Sequence, residues 1–476
     1  MSEPATASKP LVLDVDGTFL RTDMLLESFW HAMGRAPLQC LSICVRLISN
    51  RAALKHALAG LASIRTDLLP VNQQVAELAH RSQEQGRDVI LASGSDRSLV
   101  NRLAEDHGLK PTTFASDGQI NLTGARKAKA LVAAYGKGGF DYAGNSSVDV
   151  PVWKMAENAI IVGSYPAIAE SLSREGLNVT QIASGWRKRD LLRGMRPHQW
   201  VKNALLFLPI IAAHRLDMPG VMAVLLAIVA YSFAASAIYI VNDLLDLEAD
   251  RLHQTKRDRP FASGAVPIMI GMVAAFGLGV AALALAAWLS LAFLGIVTLY
   301  MVLSLAYSLK LKRMRWIDIA TLAGLYTLRV IAGAVAADVV ASGFLVAFIF
   351  PTFITLGCVK RLTELTLAKS DERLPGRGYG RPDRGDLLNV AGLGTFGALL
   401  AFFLYSFTPA AQALYTHPWQ LWLALIPIAA WLIRMVVLGW TGQQDYDPIV
   451  FAMKDKIGIA LILLTLTVMF SASSIG

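Results

Sequence analysis

The sequence predicts two fold classes in one chain. Residues 10–185 read as an α/β domain with a parallel sheet and a small helical cap. Residues 204–476 read as an all-α polytopic membrane domain, and a basic stretch at 186–203 joins the two. Three observations predict this. The 476 residues exceed one ordinary domain of roughly 100–200 residues. Hydrophobic residues make up 54% and charged residues 17%, whereas soluble chains carry about 25% charged residues. Finally, short apolar runs alternating with helical spacing give way near residue 204 to long apolar runs.

The N-terminal elements follow in order. Residues 1–10 are polar, and the apolar run that follows stops at Asp14. That run is too short for a secretory signal of about 7–15 apolar residues, so the domain is expected in the cytoplasm. Residues 11–15 read as a strand ending in acid and glycine. The apolar stretch 37–48 is too short to span a bilayer and reads as a cap helix. Residues 71–85 have helical spacing. Residues 88–92 form a second strand, closed by Ser93-Gly94-Ser95-Asp96, and a helix runs to about His107. Residues 140–143 and 159–162 read as further strands. Strands alternating with helices indicate a parallel sheet, with ligands at its carboxyl ends. Cys40, Cys44 and Cys358 cannot make a disulfide framework and read as reduced thiols.

Apolar runs then recur at about 204–214, 219–241, 266–288, 291–309, 317–337, 343–359, 389–408, 419–440 and 457–473, which predicts about nine spans. Residues 196–476 hold 22 Lys and Arg against 16 Asp and Glu, and the cations crowd into alternate gaps. Arg251, Lys256, Arg257 and Arg259 fill one gap. Lys310, Lys312, Arg313 and Arg315 fill the next, and residues 360–384 form the third. The positive-inside rule puts these gaps and the N-terminal domain in the cytoplasm, and the C-terminus outside, of a bacterial-type inner membrane. Cations in such gaps fit phosphate-bearing ligands and lipid heads and argue against a nucleic-acid partner.

Two constellations carry chemistry. Asp14-Val15-Asp16-Gly17-Thr18 directly follows a strand. Carboxylates two apart at a strand end can share a metal, or one can attack phosphorus while the other handles a proton. Ser93, Lys127 and the run Gly144-Asn145-Ser146-Ser147-Val148-Asp149 follow in order. Together these resemble the haloacid dehalogenase superfamily of phosphohydrolases over roughly residues 10–185. The resemblance implies Asp14 as nucleophile and Asp16 as general acid/base. It implies Ser93 and Lys127 on the phosphoryl group, with Lys129 a rival for the lysine role. Asp14, Asp16, Asn145 and Asp149 would make a Mg²⁺ site. The family commonly has Asp where this chain has Asn145, which removes one negative charge. A degenerate regulatory domain is the alternative.

The second constellation is Asn242-Asp243-x-x-Asp246-x-x-x-Asp250 at the end of the second long run. Asn242, Asp246 and Asp250 lie at i, i+4 and i+8 and share a helix face, with Asp243 beside it. Carboxylates at membrane depth mark a functional site, and their natural ligand is Mg²⁺ on a diphosphate. With the following Arg259-Pro260, and with Arg196-Pro197-His198-Gln199-Trp200-Val201-Lys202-Asn203, this resembles the UbiA superfamily of membrane prenyltransferases over roughly residues 194–476.

Aromatic prenyltransferases of that superfamily commonly carry a second acid-rich motif in a later loop. Here the stretch from Tyr307 through Asp318 to Arg329 has one acid amid five cations, Lys310, Lys312, Arg313, Arg315 and Arg329. Lys360-Arg361-x-x-Glu364-Leu365 follows, then Arg373, Arg377 and Tyr379. The pattern resembles the decaprenyl-phosphate phosphoribosyltransferase branch. The resemblance implies transfer of 5-phosphoribose from phosphoribosyl diphosphate to a polyprenyl phosphate. Asn242, Asp243, Asp246 and Asp250 would hold Mg²⁺. Lys256, Arg259, Lys310, Lys360 and Arg361 would hold phosphates, and Lys202, Tyr307, Asp318 and Glu364 would contact substrate. The N-terminal domain would then remove the 5-phosphate. The alternatives are an aromatic prenyltransferase fused to a phosphatase of unrelated substrate, and a non-enzymatic lipid-phosphate binder.

Overall fold

The computed structural model describes residues 9–368, 378–444 and 447–473, so Arg373 and Arg377 lie outside the described residues. The chain forms two compact units. The first holds the residues up to Met195 together with Tyr239–Ala274, and the second holds Arg196–Ile238 with Ala275–Gly476. Composition therefore marks where the solvent changes, whereas contacts place the segment after the second apolar run with the α/β part.

In the first unit the strands are β1 (Leu11–Leu13), β2 (Val89–Asp96), β3 (Phe114–Ser116), β4 (Asp141–Gly144), β5 (Asn158–Val162) and β6 (Asn178–Ile182). All pairs are parallel, in the order β3-β2-β1-β4-β5-β6. The chain works outward on one side of β1 and then on the other. The crevice at the carboxyl end of β1 is thus the switch point where open α/β sheets bind ligands. The helices are α1 (Met24–Arg35), α2 (Pro37–Leu47), α3 (Arg51–Ala62), α4 (Gln73–Glu84), α5 (Arg97–Asp106), α6 (Ala125–Tyr135), α7 (Val150–Trp153), α8 (Pro166–Arg174) and α9 (Lys188–Met195). The expected cap helix at 37–48 is α2, which packs with α1 and α3 as a small helical layer. Side-chain caps start three of these helices: Asp23 accepts from Leu26 N–H, Asn50 from Ala53 N–H and Asp96 from Ser98 N–H. One core cluster joins Leu11, Leu13, Leu91 and Val100. A second joins Val12, Tyr142, Trp153 and Ile161. Alternate residues of β1 thus feed opposite faces of the sheet.

The helical part comprises α10 (Leu208–Ala212), α11 (Met218–Leu245), α12 (Leu247–Leu252), α13 (Ile268–Leu289), α14 (Leu291–Leu309), α15 (Ile317–Ala336), α16 (Gly343–Leu367), α17 (Arg384–Tyr405), α18 (Pro409–Leu414), α19 (Gln420–Thr441), α20 (Pro448–Ala452) and α21 (Lys456–Ala472). Among the described residues seven helices are long and apolar enough to cross a membrane, and α21 is a shorter apolar helix. The nine apolar runs thus exceed the full-length spans. The run at 204–214 is a 3₁₀ segment, Pro197–Phe207, followed by α10. Pro209, at the start of α10, brings no N–H to an i→i−4 bond. The expected span 343–359 is longer than its apolar run, because α16 continues to Leu367 and carries Lys360, Arg361 and Glu364 on its last turns.

Candidate functional site

In the α/β unit, parallel pairing puts Asp14 just past β1 beside β4, where its N–H bonds the Ala143 carbonyl at 2.9 Å. Lys127, on α6, donates from Nζ to Asp14 Oδ1 at 2.6 Å, to Asp149 Oδ1 at 3.3 Å and to the Tyr142 hydroxyl at 2.8 Å. The Tyr142 hydroxyl donates to Asp149 Oδ1 at 2.8 Å, and Asn145 N–H reaches Asp149 Oδ2 at 3.3 Å. Lys127 is buried and Lys129 is exposed, two positions apart on one helix. Geometry therefore turns Lys127 into the crevice. Burial pushes the Asp14 carboxyl up to about 7, with Lys127 opposing and Asp149 and Asp16 adding. Burial disfavours the Lys127 ammonium, but Asp14 and Asp149 carry it above its ordinary value.

Asp16 is held from the other side. Its Oδ1 accepts Met24 N–H at 2.8 Å, and its Oδ2 accepts the hydroxyls of Ser95 at 2.6 Å and Ser93 at 3.2 Å. Ser93 lies within β2 and is fully buried. Ser95 was not anticipated. The signal for it was available, since i and i+2 on a strand share a face. Tyr142 and Lys55 were not anticipated either. Lys55, on α3, reaches the Gly94 carbonyl at 2.5 Å and Asn121 Oδ1 at 3.1 Å. Asp23 is pushed up to about 6 by burial and by Asp16.

The donor set suits Mg²⁺, which takes hard oxygens. Bare backbone makes the cradle. A Cβ on Gly17, at φ +76°, would sit 2.1 Å from Asn145 Nδ2, and one on Gly144 would sit 2.8 Å from Asp149 Oδ2. Glycine is what lets the amide and the second carboxylate close on the Asp14 loop. Among the described residues no three His, Cys, Asp or Glu side chains form a ready-made metal cage. A Mg²⁺ ion here would draw its remaining ligands from phosphate and water, as that ion commonly does.

The aspartate motif, in the same unit, straddles a break. Helix α11 ends at Leu245, Asp246 stands just before α12 at φ −103° and ψ 15° without a side-chain capping bond, and the next turn carries Asp250. The i→i−4 bonds persist across the break, from Asp246 N–H to the Asn242 carbonyl at 3.0 Å and from Asp250 N–H to the Asp246 carbonyl at 2.8 Å. The expected shared face of Asn242, Asp246 and Asp250 is thus kept through a kink. Asp243 and Asp250 are buried, and Arg259 Nη1 bonds both, at 3.1 and 2.6 Å. Burial raises the Asp250 carboxyl, against the Arg259 guanidinium. Lys256 is exposed. These oxygens also suit Mg²⁺.

In the second unit most of the remaining candidates fall in two groups. Lys202 pairs with Asp447 and lies 5.9 Å from the Tyr326 ring centre. Burial would raise the Asp447 carboxyl, but Lys202 and Lys360 hold it down at about 2. Arg361 and Asp318 are both fully buried, joined at 2.5 Å from Nε and 2.9 Å from Nη2. Arg361 Nη2 also reaches the Tyr307 hydroxyl at 3.1 Å, that hydroxyl donates to Asp318 at 2.8 Å, and Glu364 pairs with Nη1. The Arg361 fork is thus committed to protein partners. Lys310 is exposed. Arg329, counted among the cations of its stretch but given no role, lies 4.9–5.5 Å from the rings of Tyr231, Tyr300 and Tyr326, and its Nε donates to Asn203. A separate apolar cavity of about 630 Å³ in this unit is lined by Leu205, Phe348, Phe353, Phe402, Trp431 and Met469, among others.

Residues 204–455 match the UbiA prenyltransferase family. The chain belongs to this family. It is a multi-pass membrane protein and a transferase, with an α/β domain ahead of its transferase part. A Sinorhizobium fredii relative, "Uncharacterized protein y4nM", is 33% identical over 454 residues, covering 94% of this chain and 88% of its own. Nodulation protein NoeC of Azorhizobium caulinodans is 32% identical over 279 residues, covering 56% of this chain and 88% of its own. Decaprenyl-phosphate phosphoribosyltransferase of Mycobacterium tuberculosis is 40% identical over 187 residues, covering 38% of this chain and 61% of its own.

Proposed function

We propose that the UbiA part transfers 5-phosphoribose from phosphoribosyl diphosphate to a polyprenyl phosphate, and that the α/β part removes the 5-phosphate from the lipid product. In the transfer a lipid phosphate oxygen bonds the anomeric carbon as the bond to diphosphate breaks. Asn242, Asp243, Asp246 and Asp250 would hold Mg²⁺, which neutralises the departing diphosphate. Arg259 and Lys256, in the same unit as the motif, are the cations assigned to its phosphates. The basic gaps support a cytoplasmic face for this chemistry.

One observation carries the reading. Asp318 is the lone acid of the stretch where aromatic prenyltransferases commonly place a second acid-rich motif, and it is fully buried against Arg361. Arg361 and the Tyr307 hydroxyl take both Asp318 oxygens, which makes it a poor second Mg²⁺ ligand, whereas Arg259 meets Asp243 and Asp250 through a single nitrogen. The surplus of cations in the later loops suits a substrate rich in phosphate. The relative named for phosphoribosyl transfer supports the same choice.

The test supplies membranes holding the protein with labelled phosphoribosyl diphosphate, polyprenyl phosphate and Mg²⁺. Label should become lipid-extractable, and Asp246→Ala should cut this by more than about 100-fold, beyond the usual cost of losing a group one shell further from a metal. Label passing instead from a prenyl diphosphate to an aromatic acid would establish the aromatic prenyltransferase reading.

A further inference from the structure

The aspartate motif does not hold itself in place. The segment after it, residues 247–266, is clamped onto α1 and the loop before α1, all within the first unit. Arg251 meets Glu27 of α1 through both terminal nitrogens, at 2.6 and 3.0 Å, and both side chains are at least nine-tenths buried. The third edge of the Arg251 fork, Nε, donates to the Ala262 carbonyl at 2.9 Å. Glu27 also accepts the Thr22 hydroxyl at 2.6 Å. One turn further along α1, His31 pairs with Glu248 at 3.2 Å. Downstream, Gly264 sits at φ +67°, where a Cβ would lie 2.7 Å from Arg21 Cβ and 3.0 Å from the Arg21 carbonyl. The segment therefore approaches the loop before α1 as closely as a bare backbone allows.

Ala262 closes the same turn that presents Arg259. Ser263 N–H bonds the Arg259 carbonyl at 3.0 Å, and Val266 N–H bonds the Pro260 carbonyl at 3.0 Å. Arg259 in turn grips Asp243 and Asp250. A chain of short contacts thus runs from Glu27 through Arg251 and the Ala262 turn to Arg259 and the motif carboxylates.

We propose that Glu27 is a positioning residue for the aspartate motif, acting through Arg251. The α/β domain is then a scaffold for the transferase site as well as a second enzyme. This rests on the reading that the motif is the transfer site. A guanidinium offers three edges in one plane. Two are fixed by Glu27 and the third fixes the turn, so losing Glu27 frees the turn without touching a motif residue.

The experiment uses the full-length protein in lipid nanodiscs, comparing wild type, Glu27→Gln, Arg251→Gln and the double variant. Hydrogen exchange of residues 247–266 is read first, since it needs no activity. Exchange there should rise about tenfold or more in each variant, with little further rise in the double, because both residues act through one pair. Exchange in β1, β2 and β4 should hold, which reports a folded α/β unit. The Mg²⁺ concentration for half-maximal transfer and the KM for phosphoribosyl diphosphate should rise about tenfold, the scale for losing support one shell from a metal, with a smaller change in kcat. Glu170→Gln, in an exposed ion pair with Arg174 elsewhere in the same unit, should leave all of these at wild-type values. Unchanged exchange in 247–266, or a rise spread equally over the sheet, would overturn the positioning role. If wild type moves no label from phosphoribosyl diphosphate, the proposed transfer fails, and the exchange result still decides the role of Glu27.

Discussion

Two clusters of buried carboxylates in this protein are each gripped by one basic side chain at 2.6 Å, and they are assembled by opposite routes. At the carboxyl end of β1, Asp14 finds Lys127 across 113 positions of sequence, brought there by a parallel sheet. In the aspartate motif, Asp250 finds Arg259 nine positions away, through one turn. The first pair is nearly sealed, with Lys127 3% exposed, whereas the Arg259 side chain is 26% exposed. A cation sealed between two carboxylates is part of the fold. A cation with one face in solvent has donors left for a phosphate.

The comparison is broken most severely at its nucleophile. Asp14→Asn should lower phosphate release by at least about 1000-fold, the scale for removing an attacking group, and leave lipid labelling intact. Wild-type membranes should accumulate lipid-linked ribose without the 5-phosphate, and the variant should stop at the phosphorylated lipid. Chromatography of the labelled lipids separates the two. Identical lipids from both proteins would send the phosphatase reading to a soluble substrate.

Stability offers a second contrast. Lys127→Met leaves Asp14 and Asp149 buried without their cation, and breaking a buried pair in this way costs about 3–5 kcal/mol. Arg259→Met removes a partly exposed partner and should cost about 1 kcal/mol. Thermal unfolding of the two variants should therefore differ clearly, while transfer should suffer more in Arg259→Met. Equal midpoints would mean that the two cations have the same structural weight. The third contrast concerns Arg361→Lys. The ammonium keeps the charge but cannot meet Asp318, Glu364 and Tyr307 together, so unmet hydrogen bonds should cost about 2 kcal/mol. A stable Arg361→Lys with weakened binding of phosphoribosyl diphosphate would return Arg361 to direct phosphate contact.

What the sequence could show follows the same division. Asp14 with Asp16, Asn145 with Asp149, and the Asn242 to Asp250 spacing were legible because strand ends and helix turns fix short-range geometry. Motif order alone favours Lys127 over its rival Lys129, and the physical ground for the choice, burial of one and exposure of the other, comes only with α6 oriented on the sheet. Strand β6 (Asn178–Ile182) was illegible because most of its side chains are polar and it takes little part in the core. The partnerships Glu27–Arg251 and Asp318–Arg361 span 224 and 43 positions. No local period encodes them. The run at 204–214 was apolar enough to read as a span, and Pro197 and Pro209 decided otherwise.

The finest contrast lies in pH. The Asp14 carboxyl stands at about 7 because burial, Asp149 and Asp16 outweigh Lys127. A carboxylate must be ionised to attack phosphorus, so kcat/KM for phosphate release should rise with pH and level off near 7. The linkage runs the other way for stability. The folded form holds a proton that the unfolded chain releases near 3.8. As pH rises from about 4 through 7, stability from this group is therefore lost. Asp23, at about 6, adds to the loss in the same window. Mg²⁺ bound beside Asp14 would favour the ionised form. It should move the acid limb of the rate profile to lower pH and restore the unfolding midpoint at pH 7.5 more than at pH 5. Melting curves at both pH values, with Mg²⁺ and with a chelator, read this directly, and Asp14→Asn should flatten both dependences. A midpoint indifferent to pH and to Mg²⁺ would show that Lys127 alone settles the charge of Asp14, and the crevice would then have no electrostatic call for a metal.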